Sequence, residues 1–133
     1  MLNVQVITPE RSLPAMSAVH VTFTAVDGEV GVRTGHAPLV AQLAVGFALI
    51  RDEAGKETLI ALRGGTALVR RNEVQLYTES AIDADIIDMD KVAKALEELS
   101  TAKPTNPVEA KRNELAATWY LMQTSLAVRR KHA

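Results

Sequence analysis

Short stretches in the first part of the chain alternate apolar and polar residues, which is the pattern of half-buried β-strands. Residues 2–6 and 19–24 both show this alternation. The stretches 46–52 and 56–63 flank a short segment, residues 53–55, that has the composition of a hairpin loop. The pattern therefore predicts several consecutive strands, each with one face directed into a core.

Two pairs of turn-forming residues divide the strands that follow. The Gly64–Gly65 pair separates stretch 56–63 from stretch 66–70, and the Arg71–Asn72 pair separates the latter from stretch 73–78. Many short strands at such close spacing are typical of an all-β sandwich or barrel.

The apolar period lengthens to three or four residues after Ala84, which indicates helices. The apolar positions of the first helix are Met89, Val92, Leu96 and Leu99. Asp88 is the expected N-cap of this helix. Asn106, Pro107 and Glu109 resemble a capping box with proline at the first helical position, so they predict the start of a second helix.

The second helix carries two apolar strips. The first strip consists of Leu115, Trp119, Met122 and Leu126. We expect it to face the first helix in an antiparallel hairpin. The second strip consists of Ala110, Ala117, Leu121 and Val128. This second strip either packs on the β domain or forms an alternative binding surface.

Composition and charge narrow the range of functions. Aromatic residues make up 4% of the 133 residues and the net charge is −1, which argues against an aromatic platform or a wholly basic surface for nucleic acid. The chain has no cysteine, which excludes disulfides, thiolate catalysis and thiolate metal sites. Charge is polarised: residues 79–99 carry seven acids and two bases, whereas residues 103–133 carry six bases and two acids.

The sequence predicts neither a secretory signal nor a membrane span. Residues 1–8 alternate apolar and polar positions and lack a basic region followed by an apolar stretch. No apolar run reaches the length that crosses a bilayer. We therefore expect a soluble protein that works where it is synthesised.

A glycine-rich segment, residues 28–39, is the main candidate for a binding function. Its glycines permit positive φ and close backbone approach, which leaves Glu29 and His36 free to face a partner. A phosphate-binding P-loop requires Gly-Lys-Ser or Gly-Lys-Thr at its end, whereas His36 and Ala37 follow Gly35 here. The alternative interpretation is that His36 satisfies a backbone group in a tight turn.

The same segment carries a resemblance to a known family. It reads G-E-x-G-x-x-x-G-H-A-P-L, which matches the signature of the epsilon subunit of F-type ATP synthases, of bacterial or plastid type. Further matching positions are Thr8–Arg11, Gly64–Gly65, Asn72–Val74 and Ala81. The chain departs from the usual family pattern at Thr34, Arg63 and Leu68. The resemblance implies a ten-strand β-sandwich in residues 1–84 and a two-helix hairpin in residues 85–133.

The resemblance also implies a function in the central stalk of a proton- or sodium-translocating ATP synthase. The sandwich would dock on the gamma subunit and the c-ring. The implied rotor and c-ring contacts are Gly28, Glu29, Gly31, Gly35, His36 and Pro38. The hairpin would restrain ATP hydrolysis by bringing its basic end to the catalytic beta and alpha subunits. The implied regulatory contacts are Arg129, Arg130 and Lys131.

Such a subunit would lie at the cytoplasmic side of a bacterial inner membrane, or less readily at a plastid thylakoid surface. It would meet the membrane only through the complex.

Relatives that bind ATP carry [IL]-D-x-x-R-A in the first helix. This chain has Ile87 and Asp88 but Lys91 and Val92 at the matching positions. Because lysine lacks the planar fork of arginine, we expect a weak nucleotide contact or none, and no cofactor.

Catalysis is not indicated by the sequence. The three histidines occur separately, and no nucleophile stands beside a base in an obvious motif. Four aspartates, at Asp83, Asp85, Asp88 and Asp90, lack the glycine and terminal glutamate of a calcium loop, so they favour a solvated helix start over a metal site. Two alternatives to the stalk subunit stay open: a nucleotide-sensing hairpin protein, and an unrelated ligand-binding β-sandwich.

Overall fold

The computed structural model describes residues 1–131, which form eight β-strands followed by two α-helices. The strands are β1 Leu2–Ile7, β2 Met16–Ala18, β3 His20–Ala25, β4 Gly28–Arg33, β5 Leu39–Arg51, β6 Glu57–Arg70, β7 Glu73–Tyr77 and β8 Ala81–Asp83. The helices are α1 Met89–Thr101 and α2 Pro107–Lys131, and one turn of 3-10 helix, Ala84–Ile86, follows β8.

The strands form a sandwich in which two long strands belong to both layers. The strand order is β2-β1-β7-β6-β5-β3-β4, and β8 pairs with β6. β5 and β6 pair antiparallel from Leu39 opposite Val69 to Arg51 opposite Glu57. The later half of β6 pairs with β7, whereas its earlier half pairs with β8. β5 and β6 therefore connect two groups of strands. One group is β2, β1 and β7, and the other is β4, β3 and β8.

The expected count of ten strands is wrong for the described residues, although the sandwich and hairpin are confirmed. Gly64 and Gly65 lie inside β6, with φ values of 71° and 119°, and do not end a strand. A side chain at Gly65 would run into the carbonyl oxygen of Tyr77. The glycines thus let one strand turn between layers without shifting its register on β5.

Each layer contributes alternate side chains to the sandwich core, as the sequence pattern predicted. Leu2, Val4, Val6, Val21 and Phe23 are all at most 1% exposed. They belong to a large apolar cluster that contains no residue of either helix. The residues of this core therefore all come from the β domain.

Local capping sets both helix starts, and both predictions are confirmed. The Asp88 carboxylate accepts hydrogen bonds from the backbone N–H groups of Asp90 and Lys91. The Asn106 side-chain oxygen accepts one from the Glu109 N–H at 2.8 Å. The Glu109 carboxylate accepts a bond from the Thr105 hydroxyl at 2.7 Å, one residue earlier than a standard capping box requires.

The expectation that the first apolar strip of α2 faces α1 is wrong, because its buried members pack on the sheet and Leu115 is 47% exposed. Trp119 and Leu126 form a second, smaller cluster with Leu59, Ala61 and Ala84. We call this group of five the hairpin cluster. α1 packs alongside α2. The hairpin cluster shares no residue with the sandwich core, so the helices and the sandwich meet at a separate apolar contact.

The second strip of α2 does not pack on the β domain, so that interpretation is wrong in this structure. Leu121 is 58% exposed and Val128 is 48% exposed. At about 100° per residue, these positions lie nearly opposite Trp119 and Leu126 on the helix. Once the first strip faces the sheet, the second must face away from it.

Candidate functional site

The glycine-rich segment runs along an edge of the sandwich and continues around its end. β4 is the last strand in the sheet order, and its only partner among the described strands is β3. Gly28 and Glu29 follow the β3–β4 turn, whereas Gly35 and His36 follow the other end of β4. A strand of this length spans about 16 Å. The predicted contacts therefore form two groups, with Gly31 between them on β4.

Two of the three glycines adopt the positive φ that was predicted. Gly28 has φ 133° and Gly35 has φ 86°. Gly31 instead lies in the regular part of β4, opposite Thr22. A side chain at Gly31 would approach within 3.3 Å of His20 Nε2. Gly31 thus keeps the strand surface open beside His20, and the expectation of positive φ is wrong there.

One hydrogen bond to another turn and one contact within the loop hold the loop after β4. The Gly35 N–H donates to the side-chain oxygen of Asn72 at 2.7 Å, which ties the loop to the β6–β7 turn. His36 Nδ1 lies 2.6 Å from the Ala37 carbonyl oxygen. One ring nitrogen of His36 therefore contacts a backbone group of the turn, as the alternative interpretation of this residue predicted. Glu29 and Pro38 are exposed.

His20 joins this site, although sequence reasoning did not select it. An open depression of about 450 Å³ is lined by His20, Gly31, Arg33, Thr34, Gly35 and His36. We call it the basic depression. His20 lies opposite Arg33 on β4 and opposite Arg51 on β5. Partial burial lowers the pKa of His20, and the neighbouring charges of Arg33 and Arg51 lower it further.

The basic end of α2 is held against the β domain. Arg130 Nε donates to Asp85 Oδ1 at 2.8 Å, and Arg130 Nη2 lies 3.4 Å from Asp85 Oδ2. The Arg129 guanidinium lies over the Phe47 ring, 4.9 Å from its centroid. The hydrogen bond from Arg130 lowers the pKa of Asp85. The side chain of Lys131 lies outside the described residues.

The residues of the expected nucleotide contact lie together at the start of α1. Ile87 is partly buried against the hairpin cluster, and the Asp88 carboxylate caps the helix. Lys91 is exposed. The Asp83 carboxylate accepts a hydrogen bond from the Asp85 N–H at 2.8 Å. Both capping aspartates therefore stabilise helix starts through bonds to backbone N–H groups.

The described residues show neither a cluster of metal ligands nor a membrane-spanning helix. Residues 1–131 contain no group of histidine, aspartate or glutamate side chains placed to hold a metal ion. None of the helices described is both long and apolar enough to cross a membrane.

Comparison with known proteins gives consistent matches. The model of the family described as "ATP synthase, Delta/Epsilon chain, beta-sandwich domain" matches residues 1–84. An ATP synthase epsilon chain of Shouchella clausii is 36% identical over 115 residues, which are 86% of each chain. A chloroplastic ATP synthase epsilon chain of Chlorella vulgaris is 34% identical over 113 residues, 85% of this chain and 84% of the relative.

A solved structure also resembles the fold. The match is a chain in the cryo-EM structure of the mitochondrial ATP synthase of Euglena gracilis, which contains OSCP, F1 and the c-ring. It aligns with a TM-score of 0.80 and 27% identity, over 93% of this chain and 79% of the other. The similarity therefore extends through the sandwich and into the helices.

Proposed function

The chain belongs to the ATP synthase delta/epsilon chain family, and we propose that it is a central-stalk subunit that couples the catalytic head of an F-type ATP synthase to its c-ring. The observation that carries this proposal is the similarity to epsilon chains over 86% of the sequence. The fold match to a chain within an F1 and c-ring assembly supports it. In this role the subunit is an accessory protein without catalytic residues of its own.

The sandwich supplies the docking surfaces. Glu29 and the pair of Gly35 and His36 lie at opposite ends of β4. Because about 16 Å of strand separates them, they contact the rotor at two places. The partners are the gamma subunit and the polar loops of the c-ring. The position is peripheral, on the cytoplasmic side of a bacterial inner membrane.

The hairpin supplies regulation. In this conformation Arg130 is bonded to Asp85 and Arg129 lies over Phe47, so both side chains make contacts within the chain. To restrain ATP hydrolysis, the hairpin must first leave the sheet, which exposes the hairpin cluster and frees both arginines. Acidic loops of the catalytic subunits then bind the basic helix end. The compact conformation is thus the non-inhibitory one.

A nucleotide plays a minor part in this proposal. Asp88 already accepts two backbone hydrogen bonds as a cap. Lys91 offers a point charge where the ATP-binding relatives have a planar guanidinium. We expect ATP to bind weakly or not at all.

Truncation after Ala84 tests both parts of the proposal. The sandwich core contains no helix residue, so the truncated chain should fold and assemble with gamma and the c-ring. ATP hydrolysis by the assembled complex should then rise above that of the full-length complex. Failure of the full-length chain to assemble would refute the stalk role. Normal assembly with equal hydrolysis rates would refute only the regulatory role.

A further inference from the structure

The basic depression has an uncompensated positive charge. Its lining contributes the Arg33 guanidinium and the rings of His20 and His36, and none of its six lining residues carries a carboxylate. Arg33 is exposed at the end of β4. Among the described residues, no carboxylate lies within 4 Å of its guanidinium.

Glu57 ends the cross-strand row of Arg33, His20, Arg51 and Glu57, and its carboxylate is already paired. Glu57 on β6 accepts a hydrogen bond from Arg51 on β5 at 2.9 Å. This bond from Arg51 lowers the pKa of Glu57, so the carboxylate stays ionised at neutral pH. Glu57 therefore balances Arg51 and leaves Arg33 and the two histidines to an external anion.

We propose that the basic depression receives an acidic side chain, aspartate or glutamate, from the rotor segment on which the sandwich docks. The inference rests on the proposed stalk function and adds the chemistry of the contact. Three features support it. An arginine guanidinium pairs with a carboxylate through two parallel hydrogen bonds. Gly31 leaves the strand surface bare beside His20, so a partner can approach closely. Gly35 and His36 make the depression continuous with the docking loop.

Docking of a carboxylate would also change the charge of His20. In the free chain, partial burial disfavours its protonated form most, and the charges of Arg33 and Arg51 add to this. A carboxylate beside the ring favours the protonated form, so it raises the pKa of His20 and docking takes up a proton. Rotor binding should therefore strengthen as the pH falls through the raised pKa of His20. His36 faces the same depression, so a His20→Gln variant is needed to isolate this effect.

The test uses the rotor of the parent complex, gamma with its c-ring, stripped of this chain. Affinity is measured for the wild-type chain, for Arg33→Glu, and for the control Arg112→Glu. Arg112 is an exposed arginine near the start of α2, so the control makes the same charge change away from the depression. Arg33→Glu should weaken binding about tenfold or more, whereas the control should bind as the wild type does. Thermal melts check that each variant folds.

A second readout needs no substitution at Arg33. The pKa of the His20 ring is measured by NMR in the free chain and in the rotor complex, with His20→Gln to assign the signal. The pKa should rise on binding. The wild-type chain could bind the rotor while Arg33→Glu binds equally well and the His20 pKa does not change. That result would overturn this inference and leave the proposed stalk function standing. A rise of the pKa with inorganic phosphate but not with the rotor would also overturn it, in favour of a free-anion site. A wild-type chain that does not bind the rotor would overturn the proposed function as well.

Discussion

Leu126→Ala should release the hairpin while leaving the sandwich folded. Leu126 is 2% exposed in the hairpin cluster, where its neighbours are Leu59, Ala61, Ala84 and Trp119. Buried Leu→Ala changes cost about 2 to 5 kcal/mol. We take the lower part of this range, about 2 to 3 kcal/mol, because the contact is small and can partly collapse. That cost shifts the equilibrium between docked and released hairpin roughly 30- to 150-fold.

Native-state hydrogen exchange measures this shift directly. Amides of α2 should exchange faster in Leu126→Ala by that factor, whereas amides of β1 and β7 should keep their protection, because the two clusters share no residue. Leu121→Ala is the matched control, since it removes the same atoms from the same helix at a position 58% exposed. Equal α2 exchange in the two variants would refute the reasoning. Faster exchange of β1 and β7 in Leu126→Ala would show that the clusters are not independent.

Two further predictions concern pH and backbone geometry. Arg130 lowers the pKa of Asp85 from its ordinary value of 3.8, so their contact stabilises the docked hairpin above that value and is lost as the pH falls through the lowered pKa. The protection factors of α2 amides, which are corrected for the pH dependence of intrinsic exchange, should fall below about pH 4, with a smaller acid response in Asp85→Asn, and identical pH profiles would contradict this. Gly65→Ala should cost about 2 to 5 kcal/mol in chemical denaturation, because it combines φ 119° with a clash at the Tyr77 carbonyl. Gly28→Ala has similar φ but open space, so it should cost less, and equal losses would mean that the close approach is unimportant.

The predictions that hold most closely are those that depend on neighbouring residues. Asp88 and Asn106 cap their helices as expected. Arg71 and Asn72 both adopt positive φ in the tight turn between β6 and β7. Residues within four positions of each other settle these features. These caps and turns can therefore be predicted from the local sequence, without the tertiary structure.

The predictions that failed concern which surfaces meet. Glycine pairs are compatible with a turn and with a bend in a continuous strand, and only the unchanged register of β6 on β5 at both sides of Gly64 distinguishes the two. Either apolar strip of α2 has the spacing to face a partner. The sheet receives the strip that contains Trp119 and Leu126. The choice depends on the total apolar area buried by the whole fold, which local spacing does not contain.

The sequence by itself determined an all-β first part followed by a helical hairpin, the helix caps, the tight turn at Arg71–Asn72 and the glycine-rich segment, because these depend on periodicity and local backbone preference. Only the tertiary structure decided that His20 lies beside Arg33 and that Arg130 reaches Asp85. These pairs are separated by 13 and 45 positions along the chain. Strand register and helix docking bring them together, and both follow from the packing of the complete core.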